Sequence, residues 1–490
     1  MRSEHRFVAA LRRVSLALGL ATASLVASAA TIDVINIDAP GVGFNDPTPA
    51  APVGGNNGTT LGEQRQILFA YVANFWGQRL RSDVPIQVLA TFDALPCDAN
   101  SGVLGAAGAW NILRDFPNAA RTGTWYPSAL ANKLAGSALI DDPDPFVSAD
   151  IISFFNGDLG RTGCLEGLSF YMGLDGQATL DQIDLLTTVL HEFGHGLGFQ
   201  TFTDDATGEQ ITDDPVAQPN GYPSIWDHLL YDPAQRKNWV QMNNGERVSS
   251  AITPRNLVWN GERVRREAPR VLDRGVAELF VTGKGLNRLM TVGTAQFGKP
   301  IDKHTLLAMP MALVALQTGA AGVGCTAFDA ANKATVRGKA ALIDRGGCAF
   351  TIKVKNAQDA GAAAVIIMDN GPGLPPPELV GRDDSIILTS VRVSRDDGAA
   401  LKAALAATPP RQLPPFAVLF ENPLKLAGAD YLNRVFMFTP SPNQPGSSVS
   451  HYDTLARPNL LMEPFAEPNQ AIAVSSPKDL TLELLRDIGW

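Results

Sequence analysis

The string Val189-Leu-His191-Glu192-Phe-Gly-His195-Gly-Leu-Gly198-Phe199 gathers the residue types best suited to chemistry. Two histidines four apart on a helix project from one face, so both imidazoles can reach a single ion. Glu192 stands beside the first of them, where a carboxylate can take a proton from water. Zinc lowers the pKa of a bound water to about 7, so these residues describe metal-assisted hydrolysis. His191 and His195 are then ligands and Glu192 the general base. With six histidines among 490 residues, a chance match to H-E-x-x-H is rare. The plain alternative is an amphipathic helix that carries surface histidines.

A catalytic zinc takes three protein ligands and leaves a fourth position open. The compact pattern H-E-x-x-H-x-x-G-x-x-H has Gly198 in place, but Thr201 stands where the third histidine should fall. Downstream remain His228, His304 and His451. His451 ends the run Gly446-Ser-Ser-Val-Ser-His451, and Leu461-Met462-Glu-Pro464 follows. Together these strings resemble the leishmanolysin branch of the metzincin zinc peptidases. In that branch a long insertion precedes the third histidine, a G-S-S-x-S-H string contains it, and an L-M-x-P Met-turn comes after it. The resemblance covers roughly 60–199 and 430–490 and rests on specific motifs. It implies His451 as third ligand and Met462 as the residue beneath the metal. Tyr452, beside His451, could help to stabilise an oxyanion. His228 and His304 read as surface or packed histidines.

Two other readings compete. In a thermolysin-like arrangement a downstream glutamate is the third ligand, the first candidates being Glu209 and Glu246 in turn-rich, polar surroundings. A non-catalytic metal-containing binding protein is the other, against which Glu192 argues.

These side chains need elements to hold them. Alternating β-branched residues over Thr31–Asp38 predict a strand, and apolar residues at helical spacing predict a helix over 62–80. Val84–Phe92 and Ala149–Phe155 read as further strands. The helix that carries the histidines is expected to start near Thr179, with Thr179 and Gln182 as a capping box, and to stop at Gly196 or Gly198.

The texture changes over 273–410. Strands at 339–344, 362–368 and 386–393 alternate with helices at 351–360 and 396–407, a small α/β unit with its own core. A Pro-rich stretch, Pro409 to Pro415, then leads back to different sequence, so the unit reads as an insertion. Cys325, the run Val336 to Phe350 containing Cys348, and Lys353 to Ala362 resemble a protease-associated (PA) domain. The resemblance implies a paired Cys325 and Cys348 and a lid or substrate-recruiting part without an active site of its own. Four cysteines, Cys97, Cys164, Cys325 and Cys348, allow three pairings. Proximity independently favours Cys97–Cys164 and Cys325–Cys348.

At the N-terminus, arginines 2, 6, 12 and 13 precede an apolar run that ends in Ala27-Ser-Ala29, the layout of a secretory leader over 1–29. No other long apolar run follows, so no membrane span is expected. A net charge of −9 does not favour nucleic acid, which would want a basic face. Clustered aspartates at 141–144 and at 204–205 with 213–214 could bind calcium. The chain is therefore read as α+β: a secreted, metzincin-like zinc endopeptidase acting on proteins or peptides. Its catalytic domain spans 30–272 and 411–490, interrupted by the PA domain at 273–410.

Overall fold

The computed structural model describes residues 29–99, 101–283, 285–371, 376–409, 412–466 and 470–490. The expected leader lies outside them but for Ala29.

Strand β1 (Ile32–Asn36), helix α1 (Leu61–Gly77), strands β2 (Ile86–Asp93), β3 (Gly105–Ala109) and β4 (Ile151–Asn156), and helix α2 (Leu185–Gly196) frame the first half. The sheet order is β1-β2-β4-β3, with β1, β2 and β4 parallel and β3 running antiparallel at the edge. Both helices lie on this sheet, and its core unites Phe69 and Val72 of α1, Val88 and Phe155 of the strands, and Val189 and Phe193 of α2. Such burial of large apolar side chains is the main force that fixes the helix against the sheet.

Helix α2 starts at Leu185, not near Thr179. The Thr179 hydroxyl does meet the Gln182 side chain, at 3.0 Å, but within a turn. Residues Gln182–Asp184 pair as a short strand with Ser169–Tyr171, and Asp184 is the true N-cap, accepting from Leu186 N. Past its end the backbone turns at Gly198, whose φ of +117° is open to glycine alone.

The second unit contains β5 (Arg274–Gly283), β6 (Leu286–Thr291), β7 (Gly293–Thr294), β8 (Leu306–Leu313), β9 (Ala340–Asp344), α3 (Phe350–Asp359), β10 (Ala364–Met368), β11 (Ser390–Val393), α4 (Arg395–Ala406) and β12 (Phe416–Leu426). They form one eight-stranded sheet in the order β6-β5-β12-β8-β9-β10-β11-β7. Alternate residues of β9 face opposite layers. Leu342 packs in the core that holds Leu401 of α4, and Ile343 in the core that holds Val354 of α3. A helix on each face explains why β9 and β10 read as continuous apolar runs.

This sheet does not close at 410. Strand β12 lies beyond that boundary and pairs with both β5 and β8, so the unit extends to Leu426. Arg274 and Leu426 are partners in register, and Ala427 N donates to Asp273 O at 3.0 Å. The second unit thus leaves and returns at one point, where the chain rejoins the first unit. Helix α5 (Thr481–Ile488) completes that core with Leu482, Leu484 and Leu485. Two disulfides are present, Cys97–Cys164 in the first unit and Cys325–Cys348 in the second. Among the described residues no helix is long and apolar enough to cross a membrane.

Candidate metal centre

Helix α2 places His191 and His195 one turn apart, with Nε2 atoms 3.0 Å from each other. The Nε2 of His451 lies 3.2 Å from the first and 3.1 Å from the second. A tetrahedral zinc with bonds of about 2.0–2.1 Å spaces its ligand nitrogens about 3.3 Å apart, so the triangle has the right size. Among the described residues this trio is the one group of histidine, cysteine and carboxylate side chains arranged to hold a metal.

The hydrogen bonds behind the rings decide which nitrogens point inward. Nδ1 of His191 meets Leu461 O at 2.7 Å, that of His195 meets Phe199 O at 2.7 Å, and that of His451 meets Ser447 O at 2.8 Å. A carbonyl oxygen only accepts, so each Nδ1 carries the proton and each Nε2 turns a lone pair toward the centre. Three converging lone pairs cannot bond to one another; a cation satisfies them all. Burial holds the rings neutral, pulling His191 down to about 4 and His195 to about 3, and pulling His451 well below its ordinary value. Neutral imidazole is the form that ligates metal.

Glu192 follows His191 on the helix and is buried, which pushes its carboxyl up to about 8 against a hydrogen bond from the backbone of Ala107. Edge strand β3 passes close enough that a Cβ at Gly105 would lie 2.9 Å from Glu192 Cγ and 3.0 Å from Oε1. A side chain at that position would therefore displace the Glu192 carboxyl. Gly105→Ala is expected to retain metal and lose about tenfold or more in turnover, because small misplacement of a reacting group is costly. Metal content and kcat measured on the same preparation check it.

Met462 is fully buried beneath the helix, its Sδ so close to Gly194 that a Cβ there would approach to 2.7 Å. Tyr452 is not at the centre: its hydroxyl donates to Leu480 O at 3.2 Å inside the core. His228 lies apart, its Nε2 3.1 Å from Thr124 Oγ1, and His304 belongs to the second unit. Glu246 does stand on a helix, Asn244–Ala251, but its carboxylate caps that helix and meets Lys237 Nζ at 2.5 Å. Glu209 is likewise outside the trio. The acidic runs serve local structure. Asp213 binds Arg114, Asp204 caps a turn through Ala206 N and Thr207 N, and Asp144 caps a short helix.

Three supports escaped the sequence reading. Asp479 accepts from Leu461 N at 2.7 Å, steadying the carbonyl that holds His191. Thr201 donates through its hydroxyl to Asp227 at 2.7 Å, and its N–H donates to Ser450 Oγ at 3.2 Å, tying the helix exit to the residue before His451. Asp227 also accepts from Thr203 Oγ1 and Ser224 N. Apart from the Ser224 contact, each acts on backbone or hydroxyl groups well separated in sequence, for which no local spacing exists to read.

A family model of the PA domain matches residues 310–401. The chain carries a PA domain. Similar segments occur in an ER degradation-enhancing alpha-mannosidase-like protein 3 of Xenopus laevis, 40% identical over 85 residues, and in vacuolar-sorting receptor 2 of Arabidopsis thaliana, 42% identical over 73 residues. These cover 17% and 13% of this chain, and 9% and 12% of the two relatives, so the chain spans about a tenth of their length. Among solved structures, a zinc aminopeptidase from Bacillus subtilis is 26% identical over 32% of this chain and 35% of its own, with a TM-score of 0.22. A peptidase M28 precursor from Shewanella amazonensis is 13% identical over 33% and 40%, also with a TM-score of 0.22.

Proposed function

We propose that the chain is a zinc-dependent endopeptidase of the leishmanolysin-like kind, with His191, His195 and His451 as ligands and Glu192 as general base. The observation that carries this reading is the convergence of three Nε2 lone pairs, each fixed by a backbone acceptor, beside a buried carboxyl. When bound, zinc would polarise a substrate carbonyl and make water acidic enough to yield hydroxide near neutral pH. Next to a divalent charge the Glu192 carboxyl is drawn back toward its ionised form. It accepts the proton of the attacking water and passes it to the leaving amine. Strand β3, at the sheet edge beside Glu192, offers backbone groups along which an extended peptide can lie. The two disulfides suit an oxidising, extracytoplasmic compartment.

Digestion of a mixed peptide library, with and without a zinc chelator, tests the activity. Internal cleavage abolished by the chelator and restored by zinc is expected; no cleavage by the zinc-loaded protein counts against it. Because Arg274 and Leu426 are neighbours, replacing 274–426 by a short linker is expected to leave zinc binding and short-peptide cleavage partly intact while weakening attack on folded proteins more strongly. Parallel peptide and protein assays on the excised chain check this.

A further inference from the structure

Between the third ligand and Met462 the chain makes a short loop, 453–459, and one side chain organises it. The Arg457 guanidinium donates from Nη1 to Ala456 O at 2.8 Å, to Thr454 O at 3.2 Å and to Asn459 Oδ1 at 3.2 Å. Its Nη2 reaches out of the catalytic core to Glu378 Oε1 of the PA domain at 2.8 Å. Glu378 is itself set by Thr294 Oγ1 at 3.1 Å and Gln296 Nε2 at 3.4 Å, both in the same module. The Arg457 carbonyl accepts from Asp273 N at 2.6 Å, at the point where the module joins the core. One residue therefore touches the PA domain twice, at its root by backbone and at the Glu378 loop by side chain.

We infer that Glu378 is a positioning residue: through Arg457 it lets the PA domain hold rigid the loop that links His451 to the Leu461 carbonyl. The root alone, two strands leaving side by side at Arg274 and Leu426, is a hinge. A second anchor away from the hinge converts it into a fixed mount. The guanidinium suits the task because its planar fork binds several acceptors in a set geometry, which a lysine does not reproduce. Both partners are partly exposed, 40% for Arg457 and 33% for Glu378, so the effect of one pair is modest. The PA domain is thereby a structural contributor to the metal centre as well as an attachment. The part of this inference that concerns metal retention rests on the zinc reading above; the part that concerns the loop does not.

Hydrogen exchange of the full chain tests it at the amides of Leu455 and Ala456, which bond to Asp453 Oδ1 and Asp453 O. Glu378→Ala is expected to speed their exchange and the chelator-driven release of zinc, each by about two- to five-fold, the range for a partly exposed ion pair. Arg457→Glu should do so more strongly, and Glu378→Gln, which keeps an acceptor for Arg457 Nη2, should recover part of the loss seen in Glu378→Ala. A merely structural role would not give that recovery. Unchanged exchange in Glu378→Ala, or exchange in Glu378→Gln as fast as in Glu378→Ala, would overturn the inference whether or not zinc binds. Faster exchange with unaltered zinc release would overturn the link to the metal centre. A wild-type chain that binds no zinc would count against the zinc reading alone.

Discussion

His451→Ala is expected to lose zinc and activity together, with metal affinity falling more than about 100-fold. Substitutions that merely disturb the partners of a ligand cost 10–100-fold, and here a ligand itself is removed. What remains is two imidazoles on α2, one ligand short of a catalytic set. His228→Ala and His304→Ala serve as controls, since the first ring bonds Thr124 and the second belongs to the second unit, away from the trio. Both should bind zinc as the wild type does. Zinc titration against a competing chelator, run on the three purified variants, checks the ordering. Should His228→Ala lose the metal while His451→Ala keeps it, the assignment fails.

The second large effect belongs to Glu192. Its carboxyl sits beside the ligands without being one of the three nitrogens, so Glu192→Ala is expected to retain full zinc occupancy. Turnover should fall about 10²–10⁴-fold, the usual worth of a positioned general base. Glu192→Gln preserves the shape that packs against Gly105 and should fall as far, separating the loss of proton transfer from the loss of packing. Activity retained by either variant at full zinc occupancy would remove Glu192 from that role.

How far these residues could be read from the sequence depended on whether their function is written in local spacing. The two histidines of α2 are four apart, a spacing that helical geometry makes meaningful without further structure. That His451 stands beside them was legible by resemblance, through the Gly446–His451 string and the Leu461-Met462 turn, although 256 residues separate it from His195. The paired strand ends at Arg274 and Leu426 supply the physical reason that this separation is harmless. The start of α2 was misread because Thr179 and Gln182 make the side-chain contact of a capping box inside a turn, while Asp184 does the capping. The module boundary at 410 was misread because β12 follows a Pro-rich stretch and its partner β5 lies far upstream. A strand whose pairing is that remote leaves no local mark of which unit it joins. Tyr452 illustrates the converse: adjacency to His451 in sequence suggested chemistry, yet successive residues of extended chain point to opposite sides, and its hydroxyl ends in the core.

The most direct measurement is diffraction from crystals of the zinc-saturated protein, recorded at energies on either side of the zinc absorption edge. One anomalous peak about 2.0–2.1 Å from the Nε2 atoms of His191, His195 and His451, with Glu192 alongside, is the predicted result. A peak bound by Glu209 or Glu246 in place of His451, or no peak at the trio, would contradict it.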